Sequence, residues 1–124
     1  MIDLSVQLAG VRLPNPVMPC SGTYEYSDKH AGLFSPSELG ALINKTVFAD
    51  ARAGNPAPRL YETPSGMLNA VGIPSKGLEH FLREGLPRMR SFGPPVIVSV
   101  AGATLQEFCR LAEAVERTGQ ADLL

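Results

Sequence analysis

The chain has 124 residues, 44% hydrophobic and 19% charged, with 11 basic and 12 acidic side chains for a formal charge of -1. That composition is ordinary for a globular chain and long enough for one domain. Near-neutral charge without a basic cluster argues against nucleic-acid binding, and no apolar run approaches the ~18 residues of a membrane span.

Residues Met1 to Leu8 carry an early acid, Asp3, and alternate in polarity, unlike the basic region and long apolar core of a secretion signal. Val6 to Leu8 and Val11 to Leu13 flank Ala9-Gly10, the pattern of a small hairpin. Asn15-Pro16-Val17-Met18-Pro19 then opens a short proline-bounded segment, and Val17 to Cys20 is expected to be the first core strand. Tyr24 to Phe34 reads as a short helix. Ser35-Pro36-Ser37-Glu38 has the Ser N-cap, the N1 Pro and the N3 Glu of a capping box for a brief helical turn.

Ala41 to Lys45 is expected to be the second core strand. Leu42-Ile43 precede Asn44-Lys45-Thr46 and Val47-Phe48 follow, so Lys45 stands inside an apolar run. A lysine where a buried parallel strand stops can aim its ammonium at a ligand over the strand's carboxyl end, the usual ligand position in α/β folds. The plain alternative is a solvated lysine. Asp50 to Lys76, rich in Gly, Pro, Asn and Ser, has no steady period and reads as a long loop, a kind usually functional or disordered.

Leu78, Phe81, Leu82, Leu86 and Met89 form one apolar helical stripe that Gly85 and Pro87 weaken or bend. Val96 to Ala101 is a β-branched run, expected to be a strand buried on both faces. Thr104-Leu105-Gln106-Glu107 is a second capping box; Leu105, Phe108, Leu111, Ala112 and Val115 make a cleaner stripe closed by Gly119. Ala121 to Leu124 looks like the start of another strand. Cys20 and Cys109 lack paired C-x-x-C spacing and read as cytosolic thiols, Cys109 packing beside Phe108. His30 and His80 have no metal-ligand spacing around them and suit the surface.

Strand and helix thus alternate as in a parallel α/β unit. An eight-stranded barrel takes ~250 residues, so roughly three and a half βα units cannot close one. The expected architecture is α/β, residues 1–124 being the N-terminal part of a single TIM (β/α)8 barrel domain; the alternative is a small open α/β domain.

Five segments carry a resemblance: Asn15-Pro16-Val17-Met18-Pro19-Cys20-Ser21-Gly22, Asn44-Lys45-Thr46, Gly54-Asn55-Pro56-Ala57-Pro58-Arg59, Glu62 to Gly72, and Val98-Ser99-Val100-Ala101-Gly102. Their order and spacing resemble the class 1 dihydroorotate dehydrogenases, most closely the NAD-linked B-type catalytic subunit. The resemblance implies a flavin-binding TIM barrel that holds FMN at its strands' carboxyl ends and oxidises dihydroorotate to orotate in pyrimidine (UMP) synthesis. It further implies a cytoplasmic enzyme, oligomeric at full length, with an iron–sulfur, FAD-containing electron-transfer partner subunit.

By the same resemblance, Ser21, Gly22, Lys45, Thr46 and Ser99 are FMN contacts, with Lys45 also stabilising charge during catalysis. Lys45, Asn69, Ala70, Val71, Gly72 and Ile73 are substrate contacts, Asn69 by its amide and Ala70 to Ile73 by backbone N–H groups. From the residues alone, Asn69 beside this Gly-containing stretch is also simple turn chemistry. Where the family often has Asn, this chain has the shorter Ser99; where it often has Ala, this chain has Cys20. Cys20 has no neighbouring cation to activate it, and the family's general base, a cysteine after the fourth strand, falls beyond Leu124. Two other readings stay open: the flavin barrel of dihydropyrimidine dehydrogenase, and a truncated chain with no activity of its own.

Overall fold

The computed structural model describes residues 2–24 and 32–124. β1 (Val6–Leu8) and β2 (Val11–Leu13) pair antiparallel, with Gln7 opposite Arg12. Both linking residues take positive φ, 47° at Ala9 and 84° at Gly10, as a two-residue primed turn demands. The expected hairpin is present.

The expected first core strand is not. Val17 to Cys20 forms no strand, Val17 and Met18 are exposed, and the segment's link to the core is Gly40 N–H donating to Val17 O at 2.8 Å. Pro16 and Pro19 remove two N–H donors from this stretch, which weakens it as a ladder partner. Most of the helix expected between Tyr24 and Phe34, and His30 with it, lies outside the described residues. The Ser35 capping box forms as expected, with Glu38 Oε1 accepting the Ser35 N–H at 3.1 Å at the start of a 3-10 turn over Pro36–Glu38.

β3 is short, Leu42–Ile43. The expected loop Asp50 to Lys76 contains an antiparallel hairpin, β4 (Leu60–Thr63) with β5 (Gly66–Asn69), closed by Pro64-Ser65. Thr63-Pro64-Ser65-Gly66 is a turn signature, Pro second and Gly fourth. Its strands escape a periodicity search because neither face is buried.

The next helix is continuous but not uniform: α1 (Leu78–His80), a π-helical turn at Phe81–Gly85, then α2 (Leu86–Arg90). Pro87 cannot donate to the turn before it, and the wider turn absorbs that mismatch while keeping Phe81, Leu86 and Met89 buried. β6 (Val96–Ile97) follows, then α3 (Leu105–Glu116). Thr104 Oγ1 caps α3 by accepting the Glu107 N–H at 3.2 Å, but Glu107 Oε2 accepts from Ala103 N–H instead of Thr104, so only half of the expected box closes.

β3 and β6 pair in parallel, Leu42 with Val96 and Ile43 with Ile97, and Leu123 bridges to the other side of Ile97, also in parallel. Chain order and sheet order therefore agree, as the alternation predicts. Leu42, Val47, Val96 and Val98 on the sheet pack with Phe81, Leu86, Met89 and Val115 on the helices. Asp122 pins the strand start: one carboxylate oxygen accepts from Val96 N–H at 2.7 Å and from Arg90.

Three further expectations need correction. Regular pairing spans only two residues on each strand, not Ala41 to Lys45 and Val96 to Ala101, and burial on Val96 to Ser99 alternates between buried and half-buried. On α3 only Leu111 and Val115 are buried, whereas Leu105 and Phe108 are exposed. Cys109 is exposed too and does not pack.

Candidate functional site

The first parallel pairing and the next, Val47 with Val100, lie four residues apart on one strand (Ile43 to Val47) but three on the other (Ile97 to Val100). One extra residue is accommodated at Asn44-Lys45-Thr46, which makes this stretch a β-bulge. Because side chains alternate along a strand, the extra residue resets the parity. Leu42 and Asn44 are buried, Lys45 and Thr46 half-buried, and Val47 is buried again.

Asn44 is 1% exposed, the one buried polar residue among those described. Its Oδ1 accepts from Ser99 N–H at 2.6 Å, and its Nδ2 donates to Ser99 O at 3.1 Å and to Lys45 O at 2.7 Å. Its own carbonyl accepts from Ser21 Oγ at 2.8 Å. Thr46 Oγ1 stands 3.3 Å from Ser21 Oγ and 2.9 Å from Ser99 Oγ. Each hydroxyl has one proton and the Asn44 carbonyl can only accept, so the chain runs one way: Ser99 donates to Thr46, Thr46 to Ser21, Ser21 to Asn44.

Ser21 and Gly22 belong to a turn closed by Thr23 N–H donating to Cys20 O at 3.1 Å. Gly22 occupies its third position with φ of 81°, where a Cβ would be strained. A Cβ placed there would also lie 3.2 Å from Lys45 Nζ. The turn can therefore approach the lysine because its third position is glycine. Ser21, Gly22, Lys45, Thr46 and Ser99 thus converge, from three separate stretches of chain.

Beside them lies an open pocket of about 400 Å³ lined by Lys45, Thr46, Val47, Arg52, Ser75 and Lys76, among others. Three of its lining side chains are cations and, among the described residues, none is a carboxylate. Arg52 lies over the Phe48 ring, 4.2 Å from its centroid. Such a wall suits an anionic ligand.

Asn69, Ala70, Val71, Gly72 and Ile73 are not brought into the hydroxyl cluster or this lining. Asn69 ends β5 opposite Leu60, and Ala70 N–H is already given to Arg59 O at 2.8 Å, which corrects the expectation that it awaits a ligand. The segment runs to the pocket edge through two successive left-handed residues, Gly72 (φ 73°) and Ile73 (φ 46°), immediately before Pro74 in the wall. A left-handed β-branched residue is strained backbone, a feature that clusters at functional sites.

Sequence reasoning assigned no role to Asn44, Arg52, Ser75 or Lys76. A signal for Asn44 existed: a carboxamide inside an apolar strand must find partners if buried. His80 contacts Glu84 at 3.6 Å and lies away from this pocket's lining. Among the described residues no helix is long and apolar enough to cross a membrane, and no three His, Cys, Asp or Glu side chains group as metal ligands.

Residues 3–124 match the family model described as dihydroorotate dehydrogenase. Similar curated proteins carry the name dihydroorotate dehydrogenase B (NAD(+)), catalytic subunit. That of Geotalea uraniireducens is 45% identical over 115 residues, covering 93% of this chain and 38% of the relative. That of Desulforudis audaxviator is 47% identical over 111 residues, covering 90% and 36%; that of Bacillus caldolyticus is 42% identical over 117 residues, covering 94% and 37%. This chain thus spans less than two fifths of those relatives' length. A crystal structure of DHODH from Eimeria tenella in complex with ferulenol shares the fold at a TM-score of 0.66 and 20% identity, covering 97% of this chain and 35% of that one. By the family model's match along nearly its whole length, this chain belongs to the dihydroorotate dehydrogenase family.

Proposed function

We propose that, in an enzyme of the relatives' full length, residues 1–124 form the first part of a (β/α)8 barrel domain that oxidises dihydroorotate to orotate in pyrimidine synthesis. The observation that carries this reading is the setting of Lys45. Its ammonium stands against a glycine turn that a run of three linked hydroxyls ties to the sheet, and the residue lines a cation-rich pocket. The residues fit a flavin: a turn without a Cβ permits close approach of a flat ring, and hydroxyls and an ammonium suit its heteroatoms.

Bound FMN would supply the two-electron acceptor for the hydride leaving C6 of dihydroorotate, while a cysteine base of the longer enzyme would take the C5 proton. Ser21, Gly22, Thr46 and Ser99 hold the cofactor. Lys45 stabilises the negative charge that develops as hydride is accepted, from a position set before substrate arrives. Asn69 orients the substrate amide, and Val71, Gly72 and Ile73 offer backbone to its carboxylate side; Ala70 contributes surface, its N–H being held by Arg59. The relatives' name extends the proposal to NAD as final acceptor and to a partner subunit; the family resemblance adds that the partner is an iron–sulfur FAD protein and that the assembly is a cytoplasmic oligomer.

The test is anaerobic mixing of the FMN-loaded, full-length enzyme with dihydroorotate, following loss of flavin absorbance and the orotate formed. Orotate in stoichiometric yield with bleached flavin is expected. No reduction by dihydroorotate, or reduction by dihydrouracil in its place, would refute the assignment.

A further inference from the structure

We propose that Asn44 is a positioning residue: its carboxamide replaces the main-chain acceptor missing from the ladder at the bulge and thereby sets the placement of Lys45. The role in turnover rests on the function proposed above; the structural role does not.

In a regular parallel ladder the Ser99 N–H would donate to the Asn44 carbonyl. Here the extra residue pulls that carbonyl out of line, and the side-chain Oδ1 takes the N–H instead, at 2.6 Å. The Nδ2 completes the exchange by donating to Ser99 O, which also accepts from Val47 N–H at 2.9 Å. The carboxamide thus exchanges both bonds with one residue of the neighbouring strand, as a facing residue does in an antiparallel pair.

Two consequences bear on the site. The displaced Asn44 carbonyl becomes the acceptor that ends the Ser99–Thr46–Ser21 hydroxyl chain, which ties the glycine turn to the sheet. The second Nδ2 proton holds the Lys45 carbonyl at 2.7 Å, fixing the peptide from which the lysine side chain departs. Aspartate could supply neither donor and would face two carbonyl oxygens. Alanine would leave the Ser99 N–H and the Lys45 carbonyl without these bonds in a partly buried place.

The test uses the full-length, FMN-loaded enzyme with Asn44→Ala and the milder Asn44→Ser, which retains one small hydrogen-bonding group. Hydrogen exchange is read at Ser99 and at Leu42, whose N–H donates to Pro95 O outside the bulge. Labelling of the Lys45 amine is read by mass spectrometry with Lys76 as internal reference. Flavin reduction by dihydroorotate is measured in each Asn44 variant, in Lys45→Ala and in the double variants.

Ser99 exchange is expected to accelerate at least ~10-fold with Leu42 little changed, and Lys45 labelling to shift several-fold against Lys76. Flavin reduction should slow ~10-fold or more, with the double variants no slower than Lys45→Ala alone, because both changes remove one effect. Unchanged Lys45 labelling, unchanged Ser99 exchange, or independent additive losses in rate would overturn the proposal. If the parent enzyme does not oxidise dihydroorotate, the assigned reaction falls, and exchange with labelling still decides whether Asn44 sets Lys45.

Discussion

Replacing Gly22 by alanine in the full-length enzyme separates two costs that the structure sets at different sizes. The first is backbone strain. Gly22 has φ of 81°, and holding an L-residue in the left-handed region costs roughly 1–2 kcal/mol. The second is crowding: the new methyl would meet Lys45 Nζ at 3.2 Å, and the amine, at the end of a flexible stem, can give by a few tenths of an ångström. Stability should therefore fall by no more than about 1–2 kcal/mol, or a few degrees in melting temperature. Function should fall further, because the group that yields is the one proposed to stabilise charge. Flavin reduction by dihydroorotate is expected to slow by ~10-fold or more, and FMN affinity to drop as the methyl fills the approach. Thermal unfolding followed by flavin release measures the first cost; stopped-flow absorbance and flavin titration measure the second. Normal stability would refute the strained turn, and normal FMN affinity with normal reduction would remove this turn from the cofactor site.

Lys45→Ala should leave folding intact and slow flavin reduction roughly 10²–10³-fold, the usual effect of losing one preorganised electrostatic donor, in the same stopped-flow assay. Asn69→Ala should weaken orotate binding by about 1–3 kcal/mol with FMN retained, read from the orotate-induced shift in flavin absorbance; lost FMN with unchanged orotate affinity would mean a different ligand. Leu111→Ala, at the 1% exposed anchor of α3, should cost about 2–5 kcal/mol in denaturant unfolding, whereas Leu105→Ala on the exposed first turn should cost far less. The Arg83 guanidinium, hydrogen-bonded to Glu84 at 3.0 Å, holds that carboxyl below its ordinary 4.5. The small stabilisation this ion pair brings is therefore present above 4.5 and lost as pH falls through the lowered value; an NMR titration of Glu84 should show the low midpoint, and Arg83→Met should raise it.

Local chemistry was legible in the sequence. Ala9-Gly10 can close a tight hairpin, Ser35 and Glu38 cap one another over three residues, and Phe81 with Leu86 and Met89 must share a helix face. Lys45 inside an apolar run, and the motifs that resemble the family, pointed to five residues that do converge. These are short-range statements, settled by spacing and by which atoms can donate or accept. Tertiary structure decided the rest. Whether β4 and β5 pair, whether Leu105 and Cys109 find a cover, and whether Val17 joins a sheet depend on what lies across from them. The bulge is the clearest case: it exists only as a mismatch between two strands, and Asn44 acquires its partners from Ser99, 55 residues away. A carboxamide in a strand shows that it needs hydrogen bonds, but only the packed neighbour determines which atoms supply them and so where the next side chain, Lys45, is held.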